Sequence, residues 1–240
     1  MLYLIGLGLN VKGISLQGLE AIKKCRKIYL ENYTVDFPYE LKELEKLIGG
    51  RILPAPREFV ENKVEEFLKG AEKENIALLI YGSPLTATTH ISLIQEAEKN
   101  KIKYEIMHSA SIIDAISETG LQIYKFGKIA SMPKWNEEKN FIPESFIQIV
   151  SENKSIKSHT LILIDTNLEF KDSLKQLEIS AKRKKLRLDE IIVCQSLGTK
   201  YKKIFYGKIR ELKNRKIEQP YCLIIPSRLH FIEKEILNNL

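Results

Sequence analysis

The stretch that decides the fold spans residues 76–90 and reads IALLIYGSPLTATTH. Its opening run, residues 76–81, is apolar and has the length and composition of a fully buried strand. The strand ends at a Gly-Ser-Pro turn, because Pro84 cannot donate to a sheet ladder and disfavours helical dihedral angles at Ser83. A helical pattern begins near residue 88. Because ligands of open α/β sheets lie outside the carboxyl ends of the strands, we predict that this hydroxyl-rich turn holds a small molecule.

Outward from this stretch, apolar strand-like runs alternate with helical patterns through the first half of the chain. Such alternation predicts parallel strands joined by helical crossovers. The predicted strands are residues 2–7, 27–31, 51–54, 76–81 and 104–107, and the predicted helices are residues 15–24, 39–48, 58–74, 88–99 and 111–119.

The alternation breaks at residues 131–143, SMPKWNEEKNFIP, which contain two prolines and the only tryptophan. We therefore expect residues 133–143 to link two α/β domains, residues 1–132 and residues 144–240, with a ligand cleft between them. The second half has more strands per residue and a hairpin-like stretch at residues 198–207, which predicts a mixed sheet. Its predicted strands are residues 159–165, 190–195, 202–206 and 221–226, and its predicted helices are residues 143–153, 170–185 and 231–238.

Composition places the chain among ordinary globular proteins, with 240 residues, 44% of them hydrophobic and 29% charged. No apolar stretch approaches the roughly 18 residues of a membrane span, so no membrane partner is expected. The apolar N-terminus lacks a basic region and is interpreted as a first buried strand rather than a signal peptide. The three cysteines are scattered, so we expect reduced thiols in a cytoplasmic protein, and no Cys/His spacing suggests a metal site.

The net charge of +7 is concentrated in basic runs at residues 182–187 and 200–216. One interpretation is a solvated lysine-rich surface, and the other is electrostatic steering toward an acidic protein or a nucleic acid. Nucleic-acid binding is not supported, because no aromatic signature of RNA recognition accompanies these charges.

Two further strand ends carry candidate binding groups. Gly6 and Gly8 follow the first strand, but the third glycine and the acidic residue of a dinucleotide fingerprint are missing, so NAD binding is rejected. Ser111 is a candidate N-cap where backbone groups can bind an adenine or a carboxylate. The four histidines are interpreted as structural, and no nucleophile–base pair identifies a catalytic residue. We therefore expect an enzyme that positions an already activated cosubstrate.

Several segments, in this order along the chain, resemble the diphthine synthase family of the S-adenosylmethionine-dependent tetrapyrrole methylase superfamily, in its shorter, archaeal type. The most specific are ATTH at residues 87–90 and TGLQIYKFG at residues 119–127. MLYLIGLGL at residues 1–9, HTLILID at residues 159–165 and LIIPSRLH at residues 223–230 extend the resemblance over nearly the whole chain.

The resemblance implies two α/β domains, a homodimer, and S-adenosylmethionine as cofactor with S-adenosylhomocysteine as product. It also implies a protein substrate, translation elongation factor 2, in which a histidine carries a 3-amino-3-carboxypropyl group. The amino nitrogen of that group would be methylated three times to give diphthine. Two alternatives stay open, namely a methyltransferase acting on small tetrapyrroles or precorrins and a non-catalytic α/β module that binds an elongation factor.

The resemblance finally implies a set of cofactor-binding residues, and the chain departs from the family pattern at three of them. Ser83 stands where the family usually has aspartate, Leu197 where a smaller side chain is usual, and Tyr221 where relatives often have histidine. The implied cofactor-binding residues are Leu9, Ser83, Thr86, Ser111, Ile112, Ile164, Leu197 and Tyr221.

Overall fold

A computed structural model describes the whole chain, residues 1–240. The chain forms two compact units, Met1–Ile113 and Asp114–Leu240, with one five-stranded sheet in each. The first unit contains strands β1 (Leu2–Gly6), β2 (Lys27–Glu31), β3 (Leu53–Ala55), β4 (Ile76–Ile80) and β5 (Tyr104–Met107) and helices α1 (Leu16–Ile22), α2 (Leu41–Ile48), α3 (Val64–Lys73) and α4 (Ile91–Lys99). The short helix α5 (Ile112–Ala115) begins in the first unit and ends in the second. The second unit contains strands β6 (Ala130–Met132), β7 (Thr160–Ile164), β8 (Ile191–Gln195), β9 (Lys203–Gly207) and β10 (Tyr221–Ile225) and helices α6 (Ser145–Ser155), α7 (Phe170–Arg183), α8 (Ile209–Leu212) and α9 (Phe231–Asn238).

The first sheet is entirely parallel, in the order β3-β2-β4-β1-β5, and confirms the predicted α/β class. Every residue of β1 and β4 is buried, as expected for parallel strands covered on both faces. Alternate residues of β1 point to opposite faces, so that Leu2 and Leu4 pack in one apolar cluster and Tyr3 and Ile5 in another. Because β4, β1 and β5 are neighbours, their carboxyl ends lie side by side.

The second sheet is mixed, as predicted, with the order β6-β7-β10-β8-β9. β6 runs parallel to β7, and the other neighbouring strands are antiparallel. Helices α6 and α7 contribute Phe146 and Leu174 to an apolar cluster that also contains Ile162 of β7 and Leu223 of β10. This cluster forms the core of the second unit.

The boundary between the two units lies earlier than the predicted linker at residues 133–143. β6 pairs with β7, so the chain has already joined the second sheet before the proline-rich segment begins. That segment is held inside the second unit, where Trp135 N donates to Gln176 Oε1 and Trp135 Nε1 donates to Pro143 O, each at 3.0 Å. Its loop-like composition therefore marks an ordered excursion within one unit, and not a connection between two.

Two predicted helices of the first half are also interrupted. The helix expected at residues 58–74 consists of a turn of π-helix, Glu58–Asn62, and then α3, separated by Lys63 with φ −113° and ψ 41°. The helix expected at residues 111–119 continues beyond α5 only as a 3₁₀ turn, Ile116–Thr119. No helix in the chain has the length and hydropathy that crossing a membrane requires.

Candidate functional site

Two turns that follow β1 and β4 are hydrogen-bonded to each other. Gly8 N donates to Gly82 O at 3.0 Å, and Gly82 N donates to Gly8 O at 2.9 Å. Gly8 and Gly82 have φ angles of +66° and +75°, which glycine adopts without steric cost. The turns approach β1 so closely that a Cβ atom at Gly6 would lie 2.7 Å from Gly82 O. The glycines after the first strand therefore serve close backbone packing between two loops.

The turn after β4 holds two further residues in the left-handed region. Leu85 and Ala87 have φ angles of 66° and 55°, which typically costs of order 1–3 kcal/mol for each non-glycine residue. Such conformations persist only where the surroundings fix them, and they cluster at ligand-binding sites. The backbone thus supports the prediction that this turn does more than reverse the chain.

Three of the predicted cofactor-binding residues lie in these turns. Leu9 is buried, and its carbonyl oxygen accepts a hydrogen bond from the Tyr81 hydroxyl at 3.1 Å. Ser83 is buried, and its Oγ lies 3.2 Å from His108 Nδ1, so an uncharged hydroxyl stands where an aspartate would place a negative charge. Thr86 is half-buried, and its amide donates to Ser83 O at 3.2 Å.

Ser111 and Ile112 lie where β5 gives way to α5. Ser111 is buried, and its Oγ accepts a hydrogen bond from Ile113 N at 3.2 Å, which confirms it as an N-cap. A Cβ atom at Gly82 would lie 3.8 Å from Ser111 Cα, so α5 begins beside the β4 turn. The structure therefore gathers the predicted residues of the first unit at one end of its sheet. These are Leu9, Ser83, Thr86, Ser111 and Ile112.

The three predicted residues of the second unit share one end of the second sheet. Ile164 ends β7, Tyr221 begins the neighbouring antiparallel strand β10, and Leu197 follows β8, the other neighbour of β10. The Tyr221 ring packs edge-on against Phe170 with centroids 5.7 Å apart, and its hydroxyl donates to Leu168 O at 3.0 Å. The hydroxyl hydrogen of Tyr221 is therefore used within the second unit.

The hydroxyl groups of the β4 turn fit a polar small molecule. Thr88 Oγ1 is buried and has no hydrogen-bond partner within the chain. An unsatisfied buried hydroxyl costs roughly 1–3 kcal/mol, and a ribose or carboxylate group of a bound cofactor would remove that cost. This donor set, beside exposed backbone of a fixed turn, is compatible with S-adenosylmethionine. No group of three or more His, Cys, Asp or Glu side chains is arranged to hold a metal ion.

A buried pair near the same turn, Glu31 and His90, was missed by the sequence reasoning, which interpreted the histidine as merely structural. Both side chains are about 1% exposed, and His90 Nε2 lies 3.7 Å from Glu31 Oε2 and 3.5 Å from the Tyr33 hydroxyl. Burial lowers the pKa of His90 against the opposing effect of Glu31, and its Nδ1 has no partner. The other Glu31 oxygen accepts from Thr34 N at 2.9 Å and from the Thr34 hydroxyl at 2.6 Å.

This pair brings two segments of the first unit together. Glu31 is the last residue of β2, and His90 directly precedes α4 at the end of the hydroxyl-rich turn. The far end of that turn therefore packs beside the neighbouring strand, with no hydrogen bond between the two side chains. His90 belongs to ATTH, one of the segments that carry the family resemblance, but its contact with Glu31 depends on tertiary structure.

Comparison with known proteins gives relatives among the diphthine methyl ester synthases. The chain is 44% identical over 170 residues to the diphthine methyl ester synthase of Schizosaccharomyces pombe, which covers 70% of this chain and 59% of that protein. It is 40% identical over 178 residues to the diphthine methyl ester synthase of Homo sapiens, which covers 74% of this chain and 61% of that protein. The chain thus spans less than two thirds of the length of these curated relatives.

The fold comparison and the family comparison agree with these relatives. The crystal structure of a diphthine synthase superposes with a TM-score of 0.90 at 28% identity, covering 99% of this chain and 94% of that one. The resemblance stated from the sequence motifs is therefore confirmed. The model of the Tetrapyrrole (Corrin/Porphyrin) Methylases matches residues 1–213. The chain belongs to the tetrapyrrole (corrin/porphyrin) methylase family, and within it resembles the diphthine synthases.

Proposed function

We propose that the chain is an S-adenosylmethionine-dependent methyltransferase of diphthamide biosynthesis. Its substrate is translation elongation factor 2 carrying 2-(3-amino-3-carboxypropyl)histidine, and it transfers three methyl groups to the amino nitrogen to give diphthine. The observation that carries the proposal is the 44% identity to a diphthine methyl ester synthase. The gathering of five predicted cofactor-binding residues at one end of the first sheet supports it.

Three of these residues and the two glycine turns have specific tasks in the proposal. S-adenosylmethionine supplies a methyl group that is already activated by its sulfonium, so the protein need not create a nucleophile. The tied turns at Gly8 and Gly82 present backbone groups, and Ser83, Thr86 and Ser111 present hydroxyls or an N-cap at fixed positions. Holding the reactants in line contributes several kcal/mol of barrier lowering, so orientation is the main catalytic contribution.

The acceptor amine must be unprotonated to attack. The α-amino group of a peptide terminus has a pKa of roughly 7.7–8.0, and the free carboxylate on the same carbon raises the pKa of this amine above that range. Each transfer therefore requires that the amine first lose a proton. The buried His90 is about 1% exposed and is assigned no role as the base in this scheme. After three methyl transfers the nitrogen has no lone pair, and methylation of the amine stops. The relatives' name, diphthine methyl ester synthase, refers to a further methyl on a carboxylate, so the number of groups transferred is part of the test.

Cofactor binding is the first test of the proposal. Addition of S-adenosylhomocysteine should raise the melting temperature, because a ligand that binds only the folded state stabilises it by mass action. No shift and no calorimetric binding would overturn the methyltransferase assignment and favour the non-catalytic elongation-factor module.

The substrate is tested separately. The family name includes enzymes of tetrapyrroles, so release of S-adenosylhomocysteine is measured with the modified elongation factor and, in parallel, with uroporphyrinogen. Turnover with the protein substrate alone is expected. Turnover with uroporphyrinogen alone would overturn the proposed substrate and support the small-molecule methyltransferase.

We also propose that the protein is a cytoplasmic homodimer, as the family resemblance implies. Light scattering should give twice the chain mass of 27.7 kDa. A mass of one chain at micromolar concentration would contradict the dimer, and secretion or membrane association of a tagged protein in its host would contradict the location.

A further inference from the structure

The second unit contains a surface pocket that lies apart from the predicted cofactor-binding residues of that unit. The pocket has a volume of about 410 Å³, and its lining includes Lys125, Lys157, Arg228, His230 and Phe231. Its walls are the family segment at residues 119–127, the turn after α6, and the junction between β10 and α9. Cationic side chains from three separate segments therefore converge on one cavity.

One of these cations is already neutralised by a buried carboxylate. Lys125 forms an ion pair with Glu233, whose side chain is fully buried, and also donates to Arg228 O at 2.9 Å. Glu233 further accepts hydrogen bonds from Gln122 N at 2.9 Å and His230 N at 2.6 Å. Burial opposes ionisation of Glu233, but these hydrogen bonds outweigh it and lower its pKa to about 2. The carboxylate is thus committed to holding α9 in place.

The other two cations have no counterion in the chain. Neither Arg228 nor Lys157 has a carboxylate within the 4.0 Å of an ion pair, and neither side chain makes a hydrogen bond. Lys157 is held by a backbone turn with φ of 61°, and both side chains are exposed. The pocket therefore presents two positive charges that have no counterion in the chain.

Large apolar side chains that are exposed to solvent lie in the chain beside residues that line the pocket, and Phe231 is itself one of the lining residues. Tyr124 is 79% exposed and Phe231 is 71% exposed, and they directly neighbour Lys125 and His230 in the chain. Ile123 and Ile232 are 42% and 45% exposed. Aromatic side chains together with arginine are the residues enriched at the energetic centres of protein interfaces. Exposed aromatic side chains beside cations are typical of a surface that binds a protein rather than an isolated ion.

We infer that this pocket is a docking site for an acidic segment of a protein partner, with a carboxylate seated against Arg228 and Lys157 and apolar side chains on Tyr124 and Phe231. Charge complementarity selects the partner, because no carboxylate lines the pocket and Glu233, which pairs with Lys125, is buried. The net charge of +7 adds long-range attraction to the same class of partner. Two unpaired cations are too few to follow a nucleic-acid backbone, whose binding depends on many phosphate contacts.

The inference becomes more specific if the proposed function is correct, and this step rests on it. The partner is then the elongation factor itself, and the pocket binds a part of the substrate protein away from the modified histidine. Substrate affinity and methyl transfer would be separable, because the pocket residues are not among the predicted cofactor-binding residues.

The docking site is tested first without reference to methylation. A fluorescein-labelled deca-glutamate peptide is titrated with the full chain, and binding is followed by anisotropy at two salt concentrations. The double variant R228E/K157E should weaken binding by roughly tenfold or more, because like charges now face the peptide. The matched control K171E/K175E makes the same charge change on the exposed side of α7 and should change affinity less than about twofold. Equal losses in both variants, or no loss in R228E/K157E, would overturn the docking site.

Kinetics with the modified elongation factor separate this inference from the proposed function. R228E/K157E should raise KM roughly tenfold at low salt and leave kcat and S-adenosylhomocysteine affinity unchanged. If the unaltered chain and R228E/K157E methylate the elongation factor with the same KM, docking of the elongation factor is overturned and the proposed function stays intact. Absence of methylation by the unaltered chain, together with peptide binding that R228E/K157E abolishes, would overturn the proposed function and leave the acidic docking site standing.

Discussion

Substitution of Gly6 by alanine tests whether the glycine-lined contact between the two turns builds the cofactor site. Gly6 ends β1, and a Cβ atom there would lie 2.7 Å from Gly82 O, 2.9 Å from Pro84 Cδ and 3.0 Å from Ser109 Cβ. Contacts under 3.0 Å essentially never occur for a real Cβ atom, and the closest atom here is backbone. The β4 turn must therefore move.

The size of the effect follows from these contacts. Inserting a methyl group into a packed interior costs typically about 1–3 kcal/mol, and a rigid backbone neighbour places G6A in the upper part of that range. Because the turn that moves carries Ser83 and Thr86, cofactor binding should weaken as well. A displacement that removes one or two hydrogen bonds of roughly 1 kcal/mol each predicts a loss of about 5- to 30-fold in S-adenosylhomocysteine affinity.

The assay pairs urea denaturation with calorimetric titration of S-adenosylhomocysteine. The matched control is G70A in α3, where the nearest atom to an added Cβ is 3.7 Å away. Alanine is a better helix former than glycine, so G70A should stabilise the chain by up to about 1 kcal/mol and leave cofactor affinity unchanged.

Opposite outcomes would refute this reasoning. If G6A lowers the free energy of unfolding by less than about 0.5 kcal/mol and binds S-adenosylhomocysteine normally, the close contact at Gly6 does not position the turn. If G70A weakens cofactor binding as much as G6A does, the loss reflects general destabilisation and not displacement of the site.

Three further predictions concern individual polar groups. S83A removes the hydrogen bond to His108 and should weaken S-adenosylhomocysteine binding by roughly fivefold in calorimetry. S83D places a negative charge in the turn and should favour the cationic S-adenosylmethionine over its product, whose sulfur is neutral. Equal affinities of S83D for both ligands would contradict this electrostatic argument. Burial lowers the pKa of His90 in the folded state, so near pH 6.5 the unfolded chain binds a proton that the folded chain does not bind. The free energy of unfolding is therefore fully retained above that pH and decreases below it by at most about 1.4 kcal/mol per pH unit. H90Q should reduce this pH dependence in urea denaturation at pH 7.5 and 5.5, and an unchanged pH dependence would assign it to other groups. E233Q leaves the partly buried Lys125 without its counterion and should cost about 3–5 kcal/mol by denaturation, and a cost below about 1 kcal/mol would show that this carboxylate does not clamp α9.

The central part of the fold could be predicted from local sequence patterns. Residues 76–81 are continuously apolar because β4 is covered on both faces, and the Gly-Ser-Pro turn ends the strand through the chemistry of Pro84. These signals depend only on neighbours in the chain. The parallel sheet of the first unit and the mixed sheet of the second followed from the same reasoning.

The parts that could not be predicted depend on contacts distant in sequence. The segment at residues 133–143 has the composition of a linker, yet pairing of β6 with β7 and the hydrogen bonds between Trp135 and Gln176 hold it in the second unit. The partnership of Glu31 with His90 is likewise visible only when β2 and the start of α4 are brought together.

In the candidate site, too, local features could be predicted from the sequence and contacts distant in sequence could not. The hydroxyls of the β4 turn and the N-cap at Ser111 could be read from the chain, because strand ends and caps are local features. The hydrogen bond of the Tyr221 hydroxyl could not be predicted, because its acceptor, Leu168 O, belongs to a separate segment.

The measurement that tests the central claim most directly is the intact mass of translation elongation factor 2 after reaction. The factor carries the 3-amino-3-carboxypropyl histidine and is incubated with the full chain and methyl-labelled S-adenosylmethionine. The account predicts stepwise gains that end at three labelled methyl groups, all on the amino nitrogen by fragmentation. No gain, while S-adenosylhomocysteine still binds, would contradict the proposed substrate, and a fourth group on the carboxylate would contradict the proposed end point.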